Sequence, residues 1–167
     1  MEKHSNNTLE LGGREYRTVK INNLLWMAEN LSLLVKDSWF YQDNALYSTN
    51  YGRLYSWQSA MDACPKEWRL PSLEDWEEMV KALGGEDKAF KYLVIGGTSG
   101  FDATFAGYRT LKGDFMSLDR AADFWTSTEA GESNAWLYYL IKKKKDKVFK
   151  IIDDKRCGFS VRYVKPI

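Results

Sequence analysis

Alternating apolar and polar residues in the N-terminal third predict a β-meander. Three strands are expected, at residues 8–11, 16–21 and 24–27, separated by Gly12-Gly13 and by Asn22-Asn23. Glycine and asparagine tolerate the positive φ angles that two-residue hairpin turns require. From residue 30 to residue 50 the alternation is lost while four aromatic residues remain, which predicts a long ordered loop held by aromatic rings.

Apolar residues at helical spacing predict two helices in the middle of the chain. The first is expected over about residues 52–63, with Pro65 ending it. The second is better marked, because Ser72 is a typical N-cap, Asp75 completes a capping-box arrangement, and Gly84-Gly85 stop the helix. Acidic residues crowd its first turns, where the helix dipole favours negative charge.

Short segments broken by glycine follow, and three of them are predicted to be strands. They span residues 135–141, 148–152 and 159–164, and they carry apolar or aromatic residues on both faces, as strands between two layers do. The lysines at 142–145 are interpreted as the solvated tip of a hairpin, in preference to a nucleic-acid patch. The expected fold is α+β, a single domain over residues 1–167 with residues 1–8 frayed.

Composition excludes several classes of partner. The 24 basic and 23 acidic side chains give a net charge of +1, which argues against a nucleic-acid binder. No apolar run approaches the length of a membrane span, so direct membrane insertion is not expected. The N-terminal residues contain no apolar signal segment; an extracellular or cell-surface location is therefore expected only if a leader was removed.

Catalytic and metal-binding chemistry finds little support in the sequence. His4 is the one histidine, and Cys64 and Cys157 are far apart and outside any Cys-x-x-Cys motif, so that they are either a disulfide or two free thiols. Neighbouring carboxylates such as Asp153-Asp154 are interpreted as turn capping and surface charge. The glycine-rich segment 94–100 lacks the following helix that a dinucleotide site needs. We therefore predict no catalytic residues, no metal and no cofactor.

Ordered motifs in both halves resemble the Fibrobacter succinogenes major paralogous domain. They are Glu15–Ile21 (EYRTVKI), Trp26–Leu31 (WMAENL), Tyr51–Trp57 (YGRLYSW), Trp68–Ser72 (WRLPS), Phe124–Glu129 (FWTSTE) and Gly158–Arg162 (GFSVR). The resemblance extends from about residue 12 to the C-terminus. It implies a C-type-lectin-like fold, related to formylglycine-generating enzymes and to variable ligand-binding proteins of retroelements, and a module of a bacterial surface or exported protein.

Departures from the family pattern change what the resemblance implies. The family usually has a cysteine where this chain has Tyr163, and Cys157 lies six residues earlier, so the family disulfide is re-routed or absent. The acidic triplets of calcium-dependent lectins do not occur, which makes any binding calcium-independent. The cysteines of the formylglycine-generating enzymes are also missing from the matching positions.

The favoured hypothesis is a non-enzymatic ligand-binding or adhesion module that recognises a protein or a glycan at a cell surface. Alternatives are a structural domain of a pilus or surface complex, and an enzyme related to the formylglycine-generating proteins; the oligomeric state is open. The expected ligand face lies on the last hairpins, at Asn134, Trp136, Tyr138, Lys142, Lys144, Asp153 and Lys155. Trp136 and Tyr138 would be stacking anchors, with core packing as the alternative for both rings.

Overall fold

The computed structural model describes residues 8–144 and 147–167, and within them there are eleven strands and four α-helices. The strands are β1 (Thr8–Leu11), β2 (Arg14–Ile21), β3 (Leu24–Met27), β4 (Ser38–Trp39), β5 (Leu54–Tyr55), β6 (Tyr108–Arg109), β7 (Phe115–Met116), β8 (Ala121–Glu129), β9 (Asn134–Ile141), β10 (Val148–Asp154) and β11 (Val164–Pro166). The helices are α1 (Ser48–Tyr51), α2 (Trp57–Asp62), α3 (Leu73–Ala82) and α4 (Phe90–Leu93). The architecture is mixed α and β, and every ladder between named strands is antiparallel.

The predicted meander is confirmed, and the C-terminal strand extends it. β1, β2 and β3 pair in sequence, and β11 adds to β3 to complete a four-stranded sheet. Leu11 pairs with Arg14 and Ile21 with Leu24, so both connections are the expected two-residue turns. Asn22 has a φ of 56°, the left-handed conformation that favoured asparagine at this turn. Residues 1–7, which include most of the segment expected to be frayed, lie outside the described residues.

The second predicted helix is confirmed in its start and its end, whereas the first begins later than predicted. The Ser72 hydroxyl accepts a hydrogen bond from the Asp75 amide, and the Asp75 carboxylate accepts one from the Ser72 amide, so the capping box forms. α2 begins only at Trp57, because residues 54–55 form β5 against β4 and Ser56 caps the helix. No helix among the described residues is long and apolar enough to cross a membrane.

β8, β9 and β10 form a three-stranded antiparallel sheet with β9 in the centre. β9 and β10 are the predicted hairpin; Lys142 to Lys144 are exposed in its connection, and Lys145 lies outside the described residues. The strand predicted at 159–164 is wrong for most of its length. Its backbone bonds to residues of several elements, namely Leu31, Met27, Tyr55, Arg69, Asp123 and Trp125, and a segment that bridges several elements cannot form one ladder.

The sheet is buried between two hydrophobic clusters, which confirms the interpretation of its central strand as lying between layers. On one face, Phe124 of β8 and Tyr138 of β9 pack with Trp26 and Trp76; we call this the Trp76 cluster. On the other face, Trp125 packs with Tyr55, Phe159 and Tyr163, among others; we call this the Trp125 cluster.

Arg162 is buried completely and joins the loop at residue 30 to the loop at residues 101–102. Its Nε donates to Asn30 Oδ1 at 2.8 Å, and its guanidinium also donates to the carbonyl oxygens of Phe101 and Asp102. The guanidinium lies 4.3 Å from the centre of the Phe101 ring. Burial lowers the pKa of Arg162 to about 9.

We expect Arg162→Met to lower the free energy of unfolding by about 3 kcal/mol, since it leaves three buried acceptors without their donor. Urea unfolding followed by tryptophan fluorescence would measure the change. Arg156→Met is the matched control, because Arg156 is an exposed arginine on the same terminal segment and we expect no measurable change there. Equal effects of the two substitutions would contradict this role of Arg162.

Candidate functional site

A cavity of about 420 Å³ opens on the Trp125 side of the three-stranded sheet. Strands β8, β9 and β10 contribute one side of it, and Tyr108 of β6 and Phe159 contribute another. Arg120, Lys142 and Lys143 also line the cavity, and because they are exposed they mark its mouth. The volume is within the range of roughly 300–1,000 Å³ that is usual for small-molecule sites.

Strand geometry explains which side chains reach the cavity. Alternate residues of a strand point to the same face of a sheet, and the five lining residues from the middle of these strands all belong to one face. They are Asp123 of β8, Leu137 and Tyr139 of β9, and Ile151 and Asp153 of β10. Asp123 is the register partner of Tyr139, and Leu137 is the partner of Ile151. The site is therefore built on the rigid sheet.

Asp123 is the unusual residue of this surface. It is 6% exposed, and its Oδ2 has no hydrogen-bond partner among the described residues. Burial, and after it the negative charge of Asp153, raise the pKa of Asp123 to about 8. At neutral pH Asp123 is therefore mostly protonated, and its Oδ2 has no hydrogen-bond partner among the described residues.

Asp153 is fixed by two contacts at its Oδ1 atom. The backbone amide of Asp154 donates to it at 2.7 Å, and the Cys157 thiol donates to it at 3.6 Å. Burial first, and then the charge of Asp153, raise the pKa of Cys157 to about 12. The thiol thus stays protonated at neutral pH and serves as a donor to the carboxylate.

The cysteine question that the sequence left open has an answer in the structure. Cys64 and Cys157 are both free thiols; Cys157 is buried and Cys64 is half-buried. Burial raises the pKa of Cys64 to about 11. Since the thiolate is the reactive form of cysteine, the raised pKa values lower the reactivity of both thiols at neutral pH.

Two of the seven residues predicted for the ligand face, Lys142 and Asp153, line the cavity. Lys144 is exposed in the same connection, with its Nζ 5.4 Å from the centre of the Phe149 ring. Lys155 lies elsewhere, where it pairs with Glu129 and lies over the Trp57 ring at 4.5 Å.

Tyr138 requires a correction, because it cannot be an exposed stacking anchor. Its ring is 1% exposed and stacks on Trp76 with the centroids 5.1 Å apart. Trp136 is half-buried, and like Asn134 it lies on the same face of β9 as Tyr138, which is the face opposite the cavity. For Tyr138, the alternative interpretation, in which the ring packs in the core, is therefore confirmed.

Sequence analysis missed Asp123, Tyr139 and Ile151. A usable signal was present for Asp123, since it is the one charged residue in the apolar run 121–126 of a strand. A charge in such a run is either paired or functional. Among the described residues, no set of three acidic, histidine or cysteine side chains is arranged to hold a metal ion.

We expect Asp123→Asn to flatten the pH dependence of stability. The folded chain retains a proton that the unfolded chain releases, so the wild-type free energy of unfolding falls as pH rises from about 4 to 8, by up to about 1.4 kcal/mol per pH unit from this group. Urea unfolding from pH 5 to pH 9 measures the slope. The exposed Asp87→Asn should keep the wild-type slope, and parallel curves for wild type and Asp123→Asn would refute the assignment.

We expect both thiols to resist iodoacetamide at pH 7.5 in the native protein, with Cys157 the slower because it is more buried. Both should react at once in 6 M guanidinium chloride, a concentration chosen to unfold the chain. Mass spectrometry after timed quenching identifies which cysteine is modified. Rapid native alkylation of Cys157 would contradict its protonated, buried state.

Comparison with known sequences identifies the family. The family model for the Fibrobacter succinogenes major domain matches residues 19–165, which is most of the chain. No curated protein matches the sequence. The match covers the four-stranded sheet from within β2 onward, both longer helices and every strand that lines the cavity. The chain therefore belongs to the Fibrobacter succinogenes major domain family.

Proposed function

We propose that this domain is a non-enzymatic ligand-binding module and that its binding site is the cavity beside β8, β9 and β10. The observation that carries the proposal is the buried Asp123 carboxyl, unpartnered at Oδ2, which lines a cavity of about 420 Å³. A buried polar group without a hydrogen-bond partner costs free energy, and a ligand that satisfies it regains that free energy on binding. Few placed polar groups among apolar walls are typical of ligand sites.

The cavity surface supports recognition of a ligand with an apolar part. Leu137, Tyr139, Ile151 and Phe159 contribute apolar side chains to the lining, and Tyr108 adds a further ring. Tyr139 is half-buried, so part of its ring is available to a ligand. Aromatic rings offer large contact area with few rotatable bonds, which limits the entropy lost on binding.

A perturbed carboxyl beside a second one also fits the enzyme alternative, because acid-base catalysis uses such pairs. Binding is favoured here for two reasons. The thiol nearest the cavity, Cys157, is neutral and donates to Asp153. Asp123, the carboxyl whose pKa is raised, lies on β8, and this strand is buried on both faces.

Two broader expectations remain part of the proposal. The first is a C-type-lectin-like fold, supported by the order of meander, two helices and antiparallel sheet. The second is a place in a bacterial surface or exported protein, with a glycan or a protein as the ligand; its support is the resemblance to the family. Adhesion would follow if the ligand is attached to a surface.

Ile151 and Ile152 allow a matched test, because they are neighbours on β10 that point to opposite faces. Ile151 is 48% exposed and lines the cavity, whereas Ile152 is 42% exposed and does not. We expect Ile151→Trp to fill the cavity and to abolish binding, and Ile152→Trp to leave it unchanged. A fragment library and an oligosaccharide panel, followed through the amide chemical shifts of β8, β9 and β10, provide the measurement.

Four outcomes would reject the proposal. Absence of any fragment or oligosaccharide that shifts these amides would remove the cavity as a binding site. Equal loss of binding in both tryptophan variants would place the site elsewhere. A stable oligomer together with failure of all probes would favour the assembly alternative, and chemical conversion of a bound probe would favour the enzyme.

A further inference from the structure

We propose that the cavity selects ligands carrying an ammonium group on an apolar chain, with the ammonium held at Asp123. This inference rests on the proposed function and names the chemical class of its ligand. Asp123 lines the cavity, is 6% exposed and has no partner for Oδ2 among the described residues. The geometry therefore leaves a buried acceptor in the lining of a space large enough for a small molecule.

A second carboxylate in the same cavity decides the sign of the ligand charge. Asp153 lines the cavity, and after burial its negative charge is the second cause that opposes ionisation of Asp123. An anionic group in the cavity would be repelled by Asp153. A cationic group would be attracted by Asp153 and would favour the ionised form of Asp123, and in a site shielded from water such attraction is stronger than at the surface.

A neutral hydroxyl group is a weaker partner than an ammonium group at this position. A hydroxyl could donate to Asp123 Oδ2, but it would not stabilise the ionised form of that carboxyl beside Asp153 as a cation does. Hydrogen bonds between ionised partners are roughly twice as strong as those between neutral ones. The buried lining thus favours the charged donor.

The mouth of the cavity is positively charged, whereas the lining beside Asp123 and Asp153 is acidic. Arg120, Lys142 and Lys143 line it and are exposed, so water and salt screen their repulsion of an incoming cation. They also attract an anionic group that remains near the entrance. A ligand with an ammonium at its inner end and a carboxylate at its outer end would match both regions.

The apolar side chains of the lining fit a short hydrocarbon chain. Leu137 and Phe159 are buried, and Ile151 is partly open to the cavity. A six-carbon chain places its two ends roughly 8 Å apart, from the extended geometry of single bonds, and it is small compared with the volume available. Six-carbon probes therefore test the inner end, the body and the mouth in one series.

Binding of an ammonium group should release a proton from Asp123. With a pKa of about 8, roughly nine in ten Asp123 side chains are protonated at pH 7, and a bound cation lowers that pKa. The proton passes to the solvent buffer.

The titratable and charged groups that face Asp123 or its neighbour Asp153 are Asp153 of β10, Tyr139 of β9, Tyr108 of β6, Arg120, Lys142 and Lys143 at the mouth, and Cys157 through Asp153.

Four probes with the same carbon count test the inference: hexylamine, 6-aminohexanoate, hexan-1-ol and hexanoate. Isothermal titration calorimetry at pH 7, in phosphate and in Tris, measures affinity and proton release together. We expect hexylamine to bind at least tenfold more tightly than hexan-1-ol, 6-aminohexanoate to bind at least as well as hexylamine, and hexanoate to bind weakest. The heat of amine binding should differ between the buffers by an amount that corresponds to nearly one released proton.

Variants assign the effect to the carboxyl group. Asp123→Asn keeps the shape of the side chain, and we expect it to abolish the preference for hexylamine over hexan-1-ol and to remove the buffer dependence. Asp153→Asn should weaken amine binding while leaving hexan-1-ol unchanged. Asp87→Asn removes one exposed carboxylate far from the cavity lining in sequence and should alter nothing.

The outcomes separate this inference from the proposed function. Equal affinity of hexylamine and hexan-1-ol, both blocked by Ile151→Trp, would overturn the ammonium preference and leave the binding function intact. A preference for the amine that persists in Asp123→Asn would place the cation elsewhere and would also overturn the inference. Failure of every fragment, oligosaccharide and six-carbon probe would reject both.

Discussion

Burial of strand β8 on both faces is the constraint on which the rest of the structure depends. Phe124 packs into the Trp76 cluster and Trp125 into the Trp125 cluster, so two consecutive residues join the two halves of the core. Nε1 of Trp125 also donates to the carbonyl oxygen of Tyr55 at 2.7 Å. A strand held in this way cannot shift its register, because a slip of one residue would exchange the faces of both rings.

This constraint explains how Asp123 comes to be buried. The residue precedes Phe124, and the alternation of the strand directs it to the face of Trp125, where water is largely excluded. A carboxyl in that position keeps its proton because the charged form loses hydration. An apolar residue at this position would avoid that cost, and for this reason the proposed binding function is argued from Asp123.

Local signals made the meander and α3 predictable, whereas tertiary contacts decided the rest. Turn residues and the Ser72–Asp75 capping box act within a few positions of the chain. Residues 54–55 have helical spacing but pair with β4, and residues 159–164 look like a strand but bond to several elements. The cavity was predictable only in part, since Asp153 and Lys142 were found from sequence, while the face of β9 that lines it depends on how the clusters pack.

The resemblance implies a cysteine at the position of Tyr163, and without it Cys64 and Cys157 are both free. The resemblance implies a disulfide from Cys64 to the position that Tyr163 occupies, and Tyr163 packs in the same cluster as Cys64 and donates to the carbonyl oxygen of Ala60 at 2.7 Å. A buried ring and one hydrogen bond thus stabilise a contact that a covalent bond would otherwise make. Cys157, which has no disulfide partner, instead donates to Asp153 at 3.6 Å. The thiol of Cys157 thus helps to fix the second carboxylate of the cavity, whose charge, after burial, raises the pKa of Asp123.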